Sequence, residues 1–342
     1  MSDVKKIKVA INGFGRIGRQ FLKVALGSDT CEVVVINDLG DISNLAYLLE
    51  FDSVYGRFGG EVKVGDGALI INGKSIKFLQ EPDATKLPWG FLGIDVVVES
   101  TGRFTSYEKA RVHLDVGAKR VVLSAPARDE ETPISTPNVN VAANVTSKIT
   151  SNASCTTNSI TPVAAILSKN PGIKYSMVTT VHGYTAEQSL VDGPMPALHK
   201  DFRRGRAAGV NIVPTSSGAT LAAAKAIPEM KGKFDGVALR VPVSAGSILD
   251  FNFVSMRPTT VEEINNIFIE ESKKPEWQGI FTVTDRPLVS SDILGEPHGS
   301  IVDLNLTRVV QGEFVKVMAW YDNEWGYANQ LYRHVVSLIS FL

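Results

Sequence analysis

Between the apolar run IKVAIN and a helix-favouring run over residues 19–26 the chain places Gly13-Phe14-Gly15-Arg16-Ile17-Gly18. No other stretch narrows the possible folds as much. In a G-x-G-x-x-G turn the glycines permit tight geometry and close backbone approach to a pyrophosphate, and the N-terminus of the following helix attracts it. A second apolar strand, residues 32–37, ends at Asp38, 20 residues beyond Gly18. Strand, glycine turn, helix, strand and acid together describe a βαβ unit that binds a dinucleotide, with the acid on the ribose hydroxyls. A purely structural βαβ turn is the competing reading. A carboxylate at Asp38 would repel the 2′-phosphate of NADP, and no arginine stands beside it in Asn37-Asp38-Leu39-Gly40-Asp41. The expected cofactor is NAD, held in part by Gly13 and Gly15.

The rest of the first half extends this unit. Residues 65–79 read as a hairpin turning at Asn72-Gly73. Two more apolar strands, residues 95–100 (DVVVES) and 120–124 (RVVLS), flank a helix-like stretch at 106–116. They exit through Ser100-Thr101-Gly102 and Ser124-Ala125-Pro126, which places Thr101 and Ser124 at the strand ends where a parallel sheet holds its ligand. Ordinary strand-to-loop exits would look the same. The strand–helix alternation stops near Asn138, and residues 127–151, rich in Pro, Thr and Asn, are the expected domain boundary.

With 342 residues the chain is long enough for two cores. Strands are expected at residues 174–184, 237–242, 247–256 and 315–321, and helices at 218–226, 260–272 and 329–342. The last helix carries Leu331, Val335, Leu338 and Leu342 on one side. Fewer crossovers and longer strands point to an antiparallel sheet here. The expected fold is α/β: a Rossmann-type parallel-sheet domain, residues 1–153 completed by 323–342, and an α+β catalytic domain, residues 154–322, with a mostly antiparallel sheet.

The second half opens on Ser151-Asn152-Ala153-Ser154-Cys155-Thr156-Thr157-Asn158, ahead of a helix-like run at 160–167. Cys155 sits among small polar groups beside a helix N-terminus, whose unpaired N–H groups favour a thiolate. It reads as a nucleophile. His182, at a strand end in Thr180-Val181-His182-Gly183-Tyr184-Thr185, is the candidate base. The other four histidines read as structural. A cysteine with an ordinary pKa of roughly 8.5 is only a few per cent thiolate at neutral pH; lowering it to about 6 beside an imidazolium would raise that fraction roughly 30-fold. Metal binding is the rival use of Cys and His, but no paired ligand spacing occurs. Arg240 within an apolar strand calls for an anionic partner. Thr215-Ser216-Ser217-Gly218 is a hydroxyl-rich turn opening a helix, suited to an oxyanion. Arg203-Arg204-Gly205-Arg206 reads either as a second anion site or as a solvated loop or subunit contact.

The charge balance excludes other classes. With 35 basic and 36 acidic residues the net charge is −1, so the whole molecule does not attract nucleic acid or an anionic membrane. Two cysteines form no disulfide framework, residues 1–6 lack the apolar core of a signal peptide, and no apolar run approaches a membrane span. A cytoplasmic protein is expected.

Taken together, Ile11 to Arg19 (INGFGRIGR), Ser151 to Asn158 (SNASCTTN) and Trp320 to Tyr327 (WYDNEWGY) closely resemble the glyceraldehyde-3-phosphate dehydrogenase family, along essentially the whole chain. The resemblance implies NAD-dependent phosphorylating oxidation of glyceraldehyde 3-phosphate to 1,3-bisphosphoglycerate, by a cytoplasmic homotetramer in glycolysis or gluconeogenesis. It implies that Cys155 attacks the aldehyde, that His182 activates the thiol, and that a thioester is cleaved by inorganic phosphate. It assigns Thr185 and Arg240 to the substrate's own phosphate, and Ser154, Thr156, Ser217 and Gly218 to the attacking phosphate, with Arg204 a further substrate contact. It assigns Arg16, Ile17, Asp38, Ser124 and Asn323 to the cofactor, with Tyr327 beside the nicotinamide. Val191-Asp192-Gly193-Pro194 resembles the loop of NAD-using members.

Some positions depart from the family pattern. Ser159 stands where a second cysteine is common, Ser217 replaces a threonine, and Pro82 stands where many members have an arginine near the adenine. Residues 127–150 are shorter and unlike the usual version, and Met195-Pro196-Ala197-Leu198 alters the loop before His199. Two alternatives remain: a related enzyme acting on erythrose 4-phosphate, or an NAD-binding protein recruited for interactions, for instance with RNA through residues 203–206.

Overall fold

The computed structural model describes residues 6–195 and 201–342. The start at residues 1–5, the greater part of the altered 195–198 loop, and His199 lie outside the described residues. The chain divides into two compact units, Met1–Ala153 with Ala328–Leu342, and Ser154–Tyr327.

The first unit is built on an eight-stranded sheet. In chain order its strands are β1 (Ile7–Asn12) and β2 (Cys31–Asn37), then, after a short separate ribbon of β3 (Phe51–Asp52) and β4 (Gly56–Arg57), β5 (Val62–Gly65), β6 (Ala68–Ile71), β7 (Lys74–Leu79), β8 (Val96–Glu99), β9 (Arg120–Leu123) and β10 (Ile149–Ser151). The spatial order is β10-β9-β8-β1-β2-β7-β6-β5. From β10 to β7 all neighbours are parallel, and β5, β6 and β7 pair antiparallel. The expected hairpin turning at Asn72-Gly73 is present as β6–β7, but β7 also serves as a parallel neighbour of β2. Val9, Ala10, Ile11, Val96, Val97, Val98, Val121 and Val122 are wholly buried, because a parallel sheet is covered on both faces.

Two expectations change here. The segment expected as a boundary, residues 127–151, contributes β10, a strand too short to show a period in sequence. The terminal helix starts at Trp325 rather than residue 329 and runs to Ser337. Leu331, Val335 and Leu338 are buried, whereas Leu342 lies beyond the helix and is exposed. His334 and Tyr332 anchor this segment: the His334 ring reaches Thr150 Oγ1 at 3.0 Å and Asn152 Oδ1 at 3.2 Å, and the Tyr332 hydroxyl reaches Thr30 Oγ1 at 2.8 Å.

The second unit carries β11 (Ile173–Gly183), β12 (Val213–Ser216), β13 (Phe234–Val241), β14 (Ser247–Ser255), β15 (Phe281–Thr284), β16 (Ser300–Asp303), β17 (Arg308–Val310) and β18 (Phe314–Tyr321). The order is β12-β13-β11-β14-β18-β16-β15, with β17 also on β18. β11/β13 and β15/β16 run parallel and the other pairs antiparallel. β14 alternates buried and half-buried residues along its length, as a sheet with one covered face should. The helices Cys155–Lys169, Ala219–Ala226 and Val261–Ser272 pack on that sheet and on one another. β12, β15, β16 and β17 are short and partly polar, which hid them from the sequence pattern.

Candidate active site

In the first unit the glycine turn forms one wall of a cleft of about 270 Å³, lined among others by Gly13, Gly15, Asp38, Pro82, Thr101 and Phe104. The three glycines do different work. Gly13 has φ +98°, and a Cβ there would fall 2.6 Å from the Ser100 carbonyl carbon and the Thr101 nitrogen. A Cβ on Gly18 would fall 2.2 Å from the Gly13 carbonyl oxygen. A Cβ on Gly15 would meet nothing within 4 Å, and Gly15 is the uncapped N-terminus of the helix Arg16–Leu26. Protein presses on the first and third, and the second faces open space where an anion fits. Asp38 accepts from Phe14 N (2.6 Å) and Gly40 N (2.8 Å), which orients its carboxylate at the tip of β2.

The other expected cofactor residues divide by position. The Arg16 side chain turns to Asp52 at 3.0 Å, so its free contribution to a pyrophosphate is the helix N-terminus rather than the guanidinium. Burial pushes Asp52 up, but the Val54 and Tyr55 N–H groups and Arg16 outweigh it and hold the carboxyl down at about 2. Ile17 is half-buried in the first helical turn. Ser124 follows β9, its amide donating to the Glu99 carbonyl at 2.9 Å, outside the lining of the cleft. Asn323 and Tyr327 belong to the second unit and are buried there. Asn323 Oδ1 accepts from Gly246 N and Ser247 Oγ, both at 3.0 Å.

In the second unit the helix expected from residue 160 begins five residues earlier, at Cys155 itself. Ser154 makes this possible by capping, its Oγ accepting the Thr157 N–H at 3.1 Å. Cys155 therefore occupies the first helical position, where N–H groups are unpaired and aligned. Its side chain is half-buried, and Sγ lies 3.3 Å from His182 Nε2. The His182 ring is buried at the end of β11, edge-on to Tyr321, whose hydroxyl is held by Thr156 Oγ1 (2.9 Å) and Thr180 Oγ1 (2.6 Å). Thr156 thus spends its hydroxyl on the ring's support. Tyr321 was missed as a positioning group in sequence, although it stands within the WYDNEWGY run.

His182 Nδ1 lies between a pure acceptor and a pure donor: the Gly183 carbonyl at 2.6 Å and Arg240 Nη1. Nδ1 consequently finds a partner in either tautomer, leaving Nε2 able to accept a proton from sulfur or to donate one. Burial weighs against the expected thiolate–imidazolium pair. Burial pushes the Cys155 thiol up, against the pull of Arg240 and the Thr156 N–H. Burial, then the Arg240 charge, lowers His182 to about 3. Burial thus opposes charge on both partners in the free site, and the proton can move from sulfur to Nε2 as the sulfur reacts.

Arg240 follows His182 through strand register, the two being direct partners on β13 and β11. Its Nη2 shares Glu187 Oε1 (3.4 Å) with Arg204 Nη1 (2.7 Å), so one carboxylate joins both arginines. Arg204 is further fixed by Thr215 Oγ1 at 2.8 Å. Among the described residues, Thr185 Oγ1, Gln188 Nε2 and Arg240 Nε are buried without a hydrogen-bond partner. Buried donors of this kind call for an acceptor from outside the chain. Glu187 and Gln188 were missed in sequence because a Glu-Gln pair in a loop has no distinguishing signal. Ser217 and Gly218 form a separate turn opening the helix Ala219–Ala226, with Ser217 Oγ accepting from Ala219 N at 3.3 Å.

The basic cluster is charge-balanced: Arg203 pairs with Asp201, Arg204 with Glu187 and Arg206 with Asp192. Cys31 is buried, and burial raises its thiol to about 11, an unreactive state. Among the described residues no group of three or more His, Cys, Asp or Glu is disposed to hold a metal ion, and no helix is long and apolar enough to cross a membrane.

Comparison with known proteins gives matches along both halves. Residues 7–107 match the family described as glyceraldehyde 3-phosphate dehydrogenase, NAD binding domain, and residues 154–323 match its C-terminal domain. The chain is 48% identical over 328 residues to glyceraldehyde-3-phosphate dehydrogenase 1 of Streptomyces avermitilis, covering 95% of this chain and 96% of that protein. It is 46% identical over 332 residues to glyceraldehyde-3-phosphate dehydrogenase of Mycobacterium avium, with the same coverage.

Proposed function

The chain belongs to the glyceraldehyde-3-phosphate dehydrogenase family, and from that premise we propose which of its residues carry the NAD-dependent oxidation of glyceraldehyde 3-phosphate in glycolysis. Cys155 is the nucleophile. As Sγ attacks the aldehyde carbon, its proton passes to His182 Nε2 and the carbonyl electron pair moves to oxygen. The Cys155 backbone N–H and the newly protonated His182 stabilise that oxyanion. NAD, when bound, would supply the acceptor for the hydride that leaves the same carbon. The resulting Cys155 thioester is cleaved by inorganic phosphate, giving 1,3-bisphosphoglycerate and returning the thiol.

The dinucleotide fits the first unit at its open Gly15 and at Asp38, whose carboxylate also disfavours a 2′-phosphate. The substrate phosphate is assigned to Thr185 and Arg240, with Arg204 beside them through Glu187. Ser154, Thr156, Ser217 and Gly218 are assigned to the attacking phosphate, although Ser154 and Thr156 each already make an internal hydrogen bond. A homotetramer is the proposed assembly, supported by exposed Leu190, Val191, Phe202, Val210 and Ile212 in the second unit. A cytoplasmic location is proposed with it.

The observation that carries the reading is a helix-terminal sulfur 3.3 Å from an imidazole nitrogen, in a unit that also leaves buried Thr185 and Arg240 donors unpartnered. NADH formation on adding glyceraldehyde 3-phosphate and inorganic phosphate tests it. Iodoacetate and Cys155→Ala should each abolish turnover while leaving NAD binding intact. Turnover that survives alkylation of Cys155 would defeat the mechanism.

A further inference from the structure

Behind Asn12 and Thr101, which line the cofactor cleft, lies a buried carboxylate with no assigned role. Glu99 ends β8, is 3% exposed, and pairs in register with Asn12 of β1 and Leu123 of β9. Its Oε2 accepts from Asn12 Nδ2 at 2.6 Å and from His113 Nε2 at 3.1 Å. Its Oε1 accepts from the Thr101 N–H at 2.9 Å and from the Thr101 hydroxyl.

The proton positions follow from the donors. Trp89 Nε1–H can only donate, and it meets His113 Nδ1 at 3.1 Å, so Nδ1 is bare and Nε2 carries the proton given to Glu99. Asn12 Oδ1 accepts from Asn37 Nδ2 at 2.8 Å, which turns the Asn12 amide nitrogen toward Glu99. The Thr101 hydroxyl oxygen already accepts the Arg103 N–H at 3.1 Å, so its proton is available for the carboxylate. Four donors converge on Glu99, two on each carboxylate oxygen. Among the described residues no lysine or arginine pairs with it. Glu99 is thus a buried carboxylate met by uncharged donors, and it orders Asn12 and Thr101, both of which line the cleft.

Its side of the cleft is informative. β8 lies on the opposite side of β1 from β2, whose tip bears Asp38. A dinucleotide straddling the central strand puts its adenosine on the Asp38 side and its nicotinamide on the β8 side. Oxidised nicotinamide carries a positive charge and the reduced ring carries none.

We propose that Glu99 is a positioning residue whose buried charge makes this cleft favour the oxidised over the reduced cofactor. This rests on the dinucleotide reading of the cleft. The test is calorimetric titration of the full chain with NAD+ and, separately, with NADH, without sugar phosphate. Glu99→Gln and Glu99→Ser remove the charge; each should raise the ratio of Kd for NAD+ to Kd for NADH by about fivefold or more, the effect of one charge acting at intermediate dielectric over roughly 10 Å. Glu99→Asp keeps the charge but displaces Thr101, so it should weaken both ligands together and hold the ratio within about twofold of the native chain. A purely structural Glu99 would weaken both ligands equally in all three. An unchanged ratio in whichever neutral variant folds overturns the proposal. A native chain that binds neither ligand overturns the dinucleotide reading instead.

Discussion

At the scale of single residues, the central fact is that Cys155 Sγ and His182 Nε2 are held in contact at 3.3 Å. Burial opposes charge on each, and Arg240 opposes a second positive charge on the imidazole. Alkylation of Cys155 by iodoacetate should therefore keep accelerating as pH rises through the alkaline range. A rate that levels off near pH 6 would mean the sulfur is already ionised. His182→Gln retains a polar neighbour but no base, so kcat should fall by about 10²- to 10⁴-fold. Thr185→Val removes a buried hydroxyl that has no internal partner, so the fold loses nothing while substrate phosphate loses a donor. The KM for glyceraldehyde 3-phosphate should rise on the order of tenfold, as for a lost hydrogen bond to a charged group, with the KM for NAD unchanged. An equal rise in both would show the effect to be structural.

At the scale of elements, the glycine turn and the helix Cys155–Lys169 show how far a local pattern reaches. The three turn glycines look equivalent in sequence, yet only Gly15 faces open space. Gly13→Ala and Gly18→Ala should lower the melting temperature by several degrees or prevent folding, because backbone atoms must move to admit the methyl. Gly15→Ala should melt within about 2 °C of the native chain, as surface changes do, but bind NAD at least tenfold more weakly. If all three variants melt alike, the division of labour is wrong. The catalytic helix was placed too late in sequence because residues 155–159 are polar and carry no apolar period. Tertiary burial compensates: Thr156, Thr157, Asn158 and Ser159 are all buried. The short strand β10 was invisible for a related reason, since three residues cannot display a repeat.

At the scale of the molecule, burial lowers His334 in the first unit and His182 in the second to about 3, with the Arg240 charge adding to it at His182. In the unfolded chain both take up a proton below about pH 6.5; in the folded chain they do not until near pH 3. Acid therefore favours unfolding, and stability present above pH 6.5 is lost as pH falls through that window. Each histidine should cost about 1.4 kcal/mol per pH unit, read from denaturant midpoints between pH 6 and 4.5. His334→Gln should lower that slope by about 1.4 kcal/mol per pH unit in the first unit's transition and leave the second's unchanged. A slope unchanged in both would show that His334 is charged or accessible in the folded chain.

Sequence alone determined the elements whose signals are local. A glycine spacing between strand and helix, an acid at the next strand's tip, and a cysteine among small polar groups each state their chemistry within a few residues. What tertiary structure decided was pairing across distance. Register between β11 and β13 sets Arg240 against His182, and Glu187 joins Arg204 to Arg240. Burial then bears on protonation, opposing charge on both members of the expected ion pair. Desolvation depends on everything packed around a group, and no stretch of sequence encodes it by itself.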